Sequence, residues 1–250
     1  MELGIRGKTA LVTGAGKGIG RAIAASLAEE GAKLAVCGRT PELLKQLCAQ
    51  LPNGPHKHLA IDLMTDRAAE KVAEWLGADG GSADIIVHNV GGSLGVTDPL
   101  ASALDWEKVW RFNVGIGAQL NHLLVPAMIK KGWGRIVHIS SQAAETAHGY
   151  AAYASAKGAL EVYVRAVGRA VAKHNVVISA VAPGAIEIEG RYFSKIAKEK
   201  PEELEEYFRH HLQRRKLGKP EDIGPVVAFF CSNQAAFASG GIVPVNGGGA

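Results

Sequence analysis

Seven short apolar runs alternate with longer helical stretches along this chain, and this alternation constrains its fold more than any other feature. The runs are rich in β-branched residues and span Thr9–Val12, Leu34–Cys37, His58–Ile61, Ile85–His88, Ile136–Ile139, Val177–Val181 and Ile242–Val245. Between them, apolar residues recur at the spacing of a helix with one buried face. Strict alternation predicts an α/β fold: a single doubly wound, Rossmann-type domain with a seven-stranded parallel sheet and helices on both faces.

The segment 187–219 breaks this alternation. It is rich in Glu, Lys, Arg and His, poor in strand formers, and stands between the sixth apolar run and the last helical stretch. Its composition predicts a polar, helical insertion and not another strand–helix unit. Because no internal repeat or long linker divides the 250 residues, we expect one domain over residues 1–250 with this insertion inside it.

Composition excludes several classes of protein. The cysteines Cys37, Cys48 and Cys231 have no CxxC spacing, which argues against a disulfide framework or a zinc site and fits a reducing compartment. No run approaches the roughly 18 apolar residues of a membrane span, and the first residues do not read as a signal peptide. The net charge of +4 comes without a basic run. We therefore expect a cytoplasmic protein that binds no metal, membrane or nucleic acid.

A glycine-rich loop follows the first apolar run. In order it reads Thr13, Gly14, Ala15, Gly16, Lys17, Gly18, Ile19 and Gly20. A strand–glycine loop–helix unit brings backbone N–H groups and the positive end of a helix to one point, which suits a pyrophosphate. Gly14 and Gly18 allow a tight turn, and Gly20 allows helix and strand to pack closely. The spacing GxxxGxG differs from the commonest dinucleotide fingerprint, so a turn whose glycines bind nothing stays an alternative.

The end of the second apolar run indicates the form of the dinucleotide. An NAD-binding unit places an acidic residue about 20 residues beyond the loop, where it binds the ribose hydroxyls. This chain has Gly38, Arg39 and Thr40 there instead. The Arg39 guanidinium can bind a 2′-phosphate and Lys17 can add a second positive charge; alternatively, both are solvated surface cations. Two cations without an acid predict NADP(H).

Tyr153 and Lys157 form a candidate catalytic pair. Their spacing puts both side chains on one face of the helical stretch that runs to about Lys173, one turn apart. A free tyrosine has a pKa of about 10, and a nearby ammonium favours the phenolate, so Lys157 can bring Tyr153 towards the working range of a general acid and base. Ser140 and Ser141 follow the fifth run and place a hydroxyl at the carboxyl edge of the sheet, where it can polarise a substrate oxygen.

These motifs resemble those of the short-chain dehydrogenase/reductase family, in the same order and over essentially the whole chain. Further segments that carry the resemblance are Asp62-Leu63, His88-Asn89-Val90-Gly91, Asn113, Pro183-Gly184 and Val245-Asn246-Gly247-Gly248. The resemblance implies a cofactor site made of Thr13, Gly14, Gly16, Lys17, Gly18, Ile19, Gly20, Arg39, Thr40, Asp62, Leu63, Asn89, Val90, Gly91, Tyr153, Lys157, Pro183, Gly184 and Ile186.

The resemblance also implies catalytic roles. Tyr153 exchanges a proton with the substrate oxygen, and Ser141 polarises that oxygen. Lys157 binds the nicotinamide ribose and lowers the pKa of Tyr153, while Asn113 supports a proton relay. Ser141 precedes Tyr153 by 12 residues and Ser140 precedes it by 13. Because the family more often shows a separation of 13, Ser140 stays an alternative catalytic serine.

Three other positions depart from the family pattern. His88 replaces an asparagine, which we interpret as a structural change and not a new catalyst. Ile188 replaces a threonine that contacts the nicotinamide amide. That contact must therefore come from the backbone, with Ile186 as the candidate, or be absent. Asn246 replaces an aspartate in a region that the family uses in subunit packing.

The substrate stays open at this point. The leading hypothesis is an NADPH-dependent reductase of a ketone, either a 3-oxoacyl thioester or a small polar keto compound. Alternatives are a dehydrogenase that oxidises a sugar, polyol or hydroxy acid, and a non-catalytic dinucleotide sensor. The full set of Asn113, Ser141, Tyr153 and Lys157 argues against the sensor.

In this family the insertion covers the substrate, and its cations are candidates for binding a carboxylate, a phosphate or an acidic carrier protein. They are Arg191, Arg209, His210, His211, Arg214, Arg215 and Lys216. Since glutamates lie alongside them, a solvated helix pair is the alternative. Lys130, Lys131 and Lys173 resemble basic positions of carrier-linked oxoacyl reductases. The resemblance also implies a homo-oligomer, a tetramer or a dimer, paired through helices 101–131 and 153–173.

Overall fold

All seven strands that the sequence predicts form, and they pair in parallel into one sheet with the order β3-β2-β1-β4-β5-β6-β7. The structure is a computed structural model that describes residues 2–78, 80–147 and 149–249. The strands are β1 (Thr9–Thr13), β2 (Lys33–Gly38), β3 (Lys57–Ala60), β4 (Ile85–His88), β5 (Gly134–Ile139), β6 (Val176–Pro183) and β7 (Ile242–Val245). β4, β5 and β6 are buried at every position, and β1 at every position but the half-buried Thr9, because helices cover both faces of the sheet. The predicted α/β fold is confirmed.

Helices follow the strands as the alternation predicts. The described α-helices are α1 (Gly18–Glu29), α2 (Pro41–Gln50), α3 (Ala68–Gly77), α4 (Ala103–Trp110), α5 (Ile116–Lys131), α6 (Ala143–Thr146), α7 (Ala151–Val171), α8 (Tyr192–Glu199), α9 (Pro201–His211) and α10 (Pro220–Phe230). A π-helical segment, Arg111–Gly115, joins α4 to α5. A π-helical segment inside a helix often marks a functional site, and the apolar pattern of the sequence does not predict it.

Two apolar cores lie on opposite faces of the sheet. On one face, Val12 of β1 packs among residues of α1, α2 and α10 such as Leu27. On the other face, Leu11 of the same strand packs among residues of α3, α5 and α7 such as Leu120 and Leu160. Successive side chains of β1 thus enter different cores, as the two-residue period of a strand requires. These cores fix the ends of the strands, where the candidate site lies.

The strand order reverses between β1 and β4. From β1 the chain builds outwards through β2 and β3, and then returns to place β4 on the other side. The loops that leave the carboxyl ends of β1 and β4 therefore diverge and leave a crevice. In open α/β sheets this crevice is where ligands bind. The glycine loop 13–20 and the segment Asn89–Gly92 border it.

The insertion 187–219 contains α8 and α9, in agreement with its composition. The two helices contact each other through aromatic side chains, with the ring centroids of Phe193 of α8 and Tyr207 of α9 5.0 Å apart. A bridge between Ile186 and Gly218 ties the two ends of the insertion together. The helix pair is thereby anchored beside the carboxyl end of β6.

The described residues carry no helix that is long and apolar enough to cross a membrane. Within the same ranges, no group of His, Cys, Asp and Glu side chains is placed to hold a metal ion. The three cysteines are free thiols.

Candidate active site

A cavity of about 450 Å³ opens at the carboxyl edge of the sheet, over the crevice between β1 and β4. Most of the residues that the sequence assigns to the site line it. They are Gly14, Gly16, Lys17, Gly18, Ile19, Arg39, Thr40, Asp62, Leu63, Asn89, Val90, Gly91, Ser141, Tyr153, Lys157, Pro183, Gly184 and Ile186. Thr13, Gly20 and Asn113 are outside this lining set. All three are buried, and each contacts residues that do line the cavity.

The glycine loop has the geometry that its sequence predicts. Gly14 and Gly18 have φ values of +66° and +57°, which an L-residue with a side chain rarely adopts. A Cβ atom on Gly20 would lie 2.3 Å from the carbonyl oxygen of Gly14 and 2.5 Å from the side-chain nitrogen of Asn89. The start of α1 therefore packs directly against the loop, and its free backbone N–H groups face the cavity side of the crevice.

Thr13 and Asn89 hold the glycine loop in place. The Thr13 hydroxyl accepts a hydrogen bond from the backbone N–H of Asn89 at 3.0 Å and donates one to the carbonyl of Val87 at 3.4 Å. The Asn89 side-chain amide donates to the carbonyls of Thr13 and Gly14 at 3.2 and 3.1 Å. These bonds tie the end of β4 to the end of β1. Thr13 and Gly20 act on the site through this scaffold and do not face the cavity themselves.

One end of the cavity is positively charged. Lys17 and Arg39 are both exposed and both line it. The carboxylate that lines the same cavity, Asp62, accepts a hydrogen bond from the backbone N–H of Met64 at 2.9 Å. Among the described residues no ion pair is formed by Lys17 or Arg39. Both cations are therefore available to an anionic group in the cavity.

Tyr153 and Lys157 face the other end of the cavity from the first turns of α7. Lys157 is buried, with 3% of the residue exposed. It donates a hydrogen bond of 2.7 Å to the carbonyl of Ile139, the last residue of β5. It also lies 5.7 Å from the centre of the Tyr153 ring. The predicted pair thus occupies one face of one helix, beside the strand end that carries the two serines.

The ionisation of this pair differs from what the sequence predicts. Burial raises the pKa of Tyr153 above its usual value of 10.0, and a hydrogen bond with the Ser141 side chain acts in the opposite direction. Burial lowers the pKa of Lys157 from 10.5 to about 7, against a raising effect of the Glu161 carboxylate. The lowering of the Tyr153 pKa by Lys157 is therefore not seen in the protein alone. Burial is the largest cause of the shift in both pKa values.

The two serines point in different directions. The Ser140 hydroxyl donates to the Glu161 carboxylate at 2.9 Å, and Ser140 is 3% exposed. The Ser141 hydroxyl is hydrogen-bonded with the Tyr153 side chain and accepts from the backbone N–H of Ala143 at 3.2 Å. Ser141 is therefore the serine that is placed to share a substrate oxygen with Tyr153, which is the role that the family resemblance implies for it.

Asn113 lies in the π-helical segment, behind the cavity wall. Its side-chain oxygen accepts from the backbone N–H of Gly92 at 2.9 Å, and its nitrogen donates to the carbonyls of Gly92 and Val109 at 2.8 Å each. A Cβ atom on Gly91 would lie 2.7 Å from the Asn113 oxygen and 2.9 Å from the Lys157 ammonium. The Asn113 side chain is thus committed to hydrogen bonds with Gly92 and Val109, which leaves its backbone for any part in a proton relay.

A buried polar cluster behind the site was not predicted. His88 and His138 are register partners on β4 and β5, and their rings stack with centroids 4.4 Å apart. Asn121 of α5 bonds to both rings, at 2.8 Å to His88 and 3.3 Å to His138, and to the Tyr163 hydroxyl at 3.0 Å. Burial lowers the pKa of His88 to about 4 and that of His138 well below 6.5. Both imidazoles are neutral at physiological pH, which agrees with a structural role for His88.

Ten further residues line the cavity, of which the sequence had named Ser140 as the alternative catalytic serine and Arg191 as a candidate substrate-binding cation. They are Gly38, Leu43, Leu44, Ile61, Phe112, Ile139, Ser140, Ile188, Arg191 and Phe193. Ile188 packs on the glycine loop, with its Cγ2 atom 3.1 Å from where a Cβ on Gly18 would be. Of the seven cations of the insertion that the sequence offered as candidates, Arg191 alone lines the cavity among the described residues. Leu43 and Leu44 show no signal beyond that of core-facing helix residues.

The fold, the glycine loop and the tyrosine–lysine pair together define a Rossmann-type oxidoreductase. Residues 14–249 match the family model described as Enoyl-(Acyl carrier protein) reductase. The 3-oxoacyl-[acyl-carrier-protein] reductase FabG of Aquifex aeolicus (strain VF5) is 32% identical over 252 residues, covering 99% of this chain and 99% of the relative. The chain belongs to the short-chain dehydrogenase/reductase family.

Solved structures with the same fold include two relatives that hold substrates and cofactors. L-Sorbose reductase from Gluconobacter frateurii, complexed with NADPH and L-sorbose, superposes with a TM-score of 0.91 at 27% identity, over 99% of this chain and 98% of that chain. A 7α-hydroxysteroid dehydrogenase complexed with NADH and 7-oxo glycochenodeoxycholic acid superposes with a TM-score of 0.90 at 31% identity, over 99% and 96%. The family and fold predicted from the sequence are confirmed.

Proposed function

We propose that this protein transfers a hydride between NADP(H) and a carbonyl or secondary alcohol, and that its main activity is the NADPH-dependent reduction of a ketone. One observation carries the proposal: Tyr153, Ser141 and Lys157 face the same cavity as a glycine loop with two unpaired cations beside it. A cavity of about 450 Å³ is within the range of cofactor and small-molecule sites.

The residues of the cavity fit a dinucleotide. The glycine loop and the start of α1 would hold the pyrophosphate, because free N–H groups and the helix dipole favour an anion there. Arg39 and Lys17 would bind a 2′-phosphate, and Asp62 and Leu63 would contact the adenine. The bridge between Ile186 and Gly218 uses the groups of residues 185 and 187, so the polar groups of Ile186 point away from it. They are available to the nicotinamide amide.

The cofactor supplies the hydride when bound, and the protein positions the reacting atoms and moves the proton. The hydroxyl of Tyr153 gives a proton to the substrate oxygen during reduction. The Ser141 hydroxyl donates to the same oxygen as charge develops on it. The Lys157 ammonium stabilises the phenolate that Tyr153 becomes. Burial raises the pKa of Tyr153, so the phenol carries its proton at neutral pH and can act as the acid in the reductive direction.

Relatives support a carbonyl substrate without naming it. The Aquifex aeolicus relative is a 3-oxoacyl reductase, and one solved neighbour is a sorbose reductase. A sugar, polyol or hydroxy-acid dehydrogenase stays the second candidate, since a solved neighbour named as a putative gluconate dehydrogenase superposes with a TM-score of 0.90 at 26% identity, over 99% of this chain. A dinucleotide sensor would need only the cofactor loop, and the arrangement of Ser141, Tyr153 and Lys157 in one cavity disfavours it.

A two-direction substrate panel tests the proposed function. We expect NADPH to be consumed with 3-oxoacyl thioesters, small polar ketones or keto sugars, followed by the absorbance of the reduced nicotinamide. The reverse panel pairs NADP⁺ with sugars, polyols and hydroxy acids, and a faster reverse reaction would favour the second candidate. Binding of NADPH without turnover of any compound would instead support the sensor.

Arg191→Gln should raise KM for an anionic ketone by roughly 10- to 100-fold, the effect expected for one charge-assisted hydrogen bond. A 3-oxo carboxylate and its methyl ester form the substrate pair, and KM for the ester should change less than about twofold. Steady-state kinetics with saturating NADPH measures both. The reason is that Arg191 is the insertion cation that lines the cavity with Tyr153.

Arg214→Gln is the matched control for this prediction. Arg214 lines a separate cavity of about 170 Å³, and Arg215 is ion-paired with Glu205, so neither faces the site. Lys131 also lies away from the site. It is ion-paired with Asp84 at 2.8 Å, and Asp84 precedes β4 at the edge of the sheet opposite to the cavity. Equal changes in KM for the acid and the ester in Arg191→Gln would show that Arg191 only shapes the cavity.

The remaining proposals concern the assembly and its location. Large apolar side chains are exposed on α4 and α7, with Leu104 59%, Trp110 49% and Val162 63% exposed. These are helices that the family resemblance pairs between subunits, and exposed apolar surface favours association. We therefore propose a homo-oligomer, a dimer or a tetramer, that works in the cytoplasm.

A further inference from the structure

Four ionisable side chains follow one another along a single face of α7. Tyr153, Lys157, Glu161 and Arg165 are each four residues apart, so each lies about one helical turn beyond the last. The first two belong to the proposed catalytic group. Glu161 and Arg165 lie further towards the carboxyl end of α7 and have no part in the function proposed above.

Consecutive residues at the end of β5 hold Lys157 and Glu161. The carbonyl of Ile139 accepts from the Lys157 ammonium at 2.7 Å. The hydroxyl of Ser140, the next residue, donates to one carboxylate oxygen of Glu161 at 2.9 Å. The second oxygen of Glu161 lies 3.6 Å from the Arg165 guanidinium, and the Glu161 side chain is only 13% exposed. Glu161 is therefore a nearly buried carboxylate in a fixed position one turn from Lys157.

Among the described residues, the other groups that face Lys157 do not supply a negative charge at neutral pH. On α7, burial raises the pKa of Tyr153, so this phenol is neutral in the protein alone. On β5 and β4, His138 and His88 have lowered pKa values and are neutral imidazoles. The carboxylate that acts on the Lys157 ammonium is that of Glu161. Without it, desolvation would oppose the charged amine alone.

Building on the function proposed above, we propose that Glu161 is a positioning residue that keeps the Lys157 amine protonated during turnover, with Ser140 as the group that fixes its carboxylate. Glu161 does not touch the substrate. It acts through Lys157, whose charge in turn stabilises the Tyr153 phenolate left when the proton has moved to the substrate. This assignment also gives Ser140 a use that is distinct from that of Ser141.

The sign of the effect follows from the proton count. Reduction needs Tyr153 as a phenol and Lys157 as an ammonium. Its rate therefore falls when the pH rises far enough for the Tyr153–Lys157 pair to lose the first of these two protons. A nearby negative charge makes that loss harder. Replacing Glu161 by the neutral isostere should therefore move the alkaline limb of the kcat/KM profile for reduction to lower pH. We expect a shift of about one pH unit in Glu161→Gln, a size typical of one close charge.

Three variants make the test specific. Ser140→Ala should move the limb in the same direction but by less, since the carboxylate stays and only its anchor is lost. Arg165→Gln should move the limb to higher pH, because it removes a positive charge from the same face. Arg169→Gln, on an exposed residue one turn further along α7, should leave the limb in place.

A direct titration separates this inference from the proposed function. The NMR signal of the carbon next to the Lys157 amine, assigned by its absence in Lys157→Gln, reports the Lys157 pKa in the full-length protein without any substrate. It should fall by about one unit in Glu161→Gln. If no ketone is reduced but this pKa falls, the proposed function fails and the coupling stands.

An unchanged Lys157 pKa and an unmoved limb in Glu161→Gln would overturn the inference, even if activity drops, because a purely structural role lowers the rate at all pH values. The near-ultraviolet circular dichroism and the melting temperature show whether each variant is folded. Should Glu161→Gln not fold, Arg165→Gln decides the question, since a limb that does not move to higher pH contradicts the coupling of this face to the pair.

Discussion

Tyr153→Phe should lower kcat for ketone reduction by roughly 100- to 10,000-fold, the range that a positioned general acid contributes. The substitution removes only the hydroxyl that gives its proton to the substrate oxygen. The ring stays, and with it the packing of Tyr153 on the cluster of Val109, Ala152 and Ala156. We therefore expect NADPH to bind with an unchanged Kd, measured by the fluorescence of the reduced nicotinamide. Loss of turnover with intact binding is the signature of a residue that acts on the chemical step.

Tyr150→Phe is the matched control, since Tyr150 precedes α7, is 42% exposed and lies three residues from Tyr153. It should keep turnover within about twofold, as an exposed hydroxyl away from the lining of the cavity contributes little. Turnover that survives in Tyr153→Phe would remove this residue from the mechanism. Parallel losses of turnover and binding would mean that the substitution disturbs the cavity, and the role of the hydroxyl would then be refuted as the cause.

The fold could be predicted because burial on both faces leaves a strong signal in the strands. β4 and β6 are buried at every position, and such strands are written as unbroken runs of β-branched and small residues. β3 is an edge strand that alternates between half-buried and exposed residues, and it begins and ends one residue earlier than predicted. β6 extends one residue before and two residues beyond its predicted bounds although it is buried at every position, so burial indicates where a strand lies and not where it ends. The glycine loop was equally readable, since φ values of +66° at Gly14 and +57° at Gly18 favour glycine.

The choice between Ser140 and Ser141 depended on the directions of their side chains, which no sequence pattern reports. Both residues follow the last residue of β5, where the alternation of a strand no longer fixes the direction of a side chain. The direction is set by a partner on another element, the Glu161 carboxylate of α7, which accepts the Ser140 hydroxyl. Once Ser140 faces inwards, Ser141 faces Tyr153.

The histidine pair and the surroundings of Asn113 could not be predicted for a similar reason. His138 was part of a predicted strand, and its stacking on His88 follows from the register of β4 and β5, which sequence alone does not give. The resemblance implies that Asn113 supports a proton relay, and this stays a prediction; its side chain is hydrogen-bonded to Gly92 and Val109. The π-helical segment around it, and the sharing of space between Gly91, Asn113 and Lys157, could be seen only in three dimensions.

The two ends of the cavity carry different kinds of information. At the Tyr153 end, groups are buried, pKa values are shifted, and each side chain has a partner. At the Arg39 end, Lys17 and Arg39 are exposed and form no ion pair with any described residue. Their contribution to binding depends on the anionic group that enters the cavity. Because one solved neighbour holds NADPH and another holds NADH, membership of the family does not choose between the two cofactors. The choice rests on Arg39 and Lys17.

Arg39→Asp should therefore reverse the cofactor preference. In the wild type we expect kcat/KM to favour NADPH over NADH. The substitution replaces attraction of the 2′-phosphate by repulsion and restores the acid that an NAD-binding unit uses for the ribose hydroxyls. We expect kcat/KM for NADPH to fall by roughly 100- to 1,000-fold and that for NADH to hold or rise, as the loss of one charged hydrogen bond plus a like-charge contact implies. Steady-state kinetics with each cofactor at saturating ketone measures both.

Graded variants locate the effect at the 2′-phosphate. Arg39→Gln should cost NADPH roughly 10- to 100-fold and leave NADH unchanged, since only one charged hydrogen bond is lost. Lys17→Gln should cost less, because an exposed ammonium acts as a point charge without a planar fork. Lys45→Gln, an exposed cation of α2 outside the cavity lining, should change neither. The preference for NADPH should also weaken as salt is added, because exposed charges are screened. A wild-type preference for NADH, or equal losses for both cofactors in Arg39→Gln, would show that Arg39 does not read the phosphate.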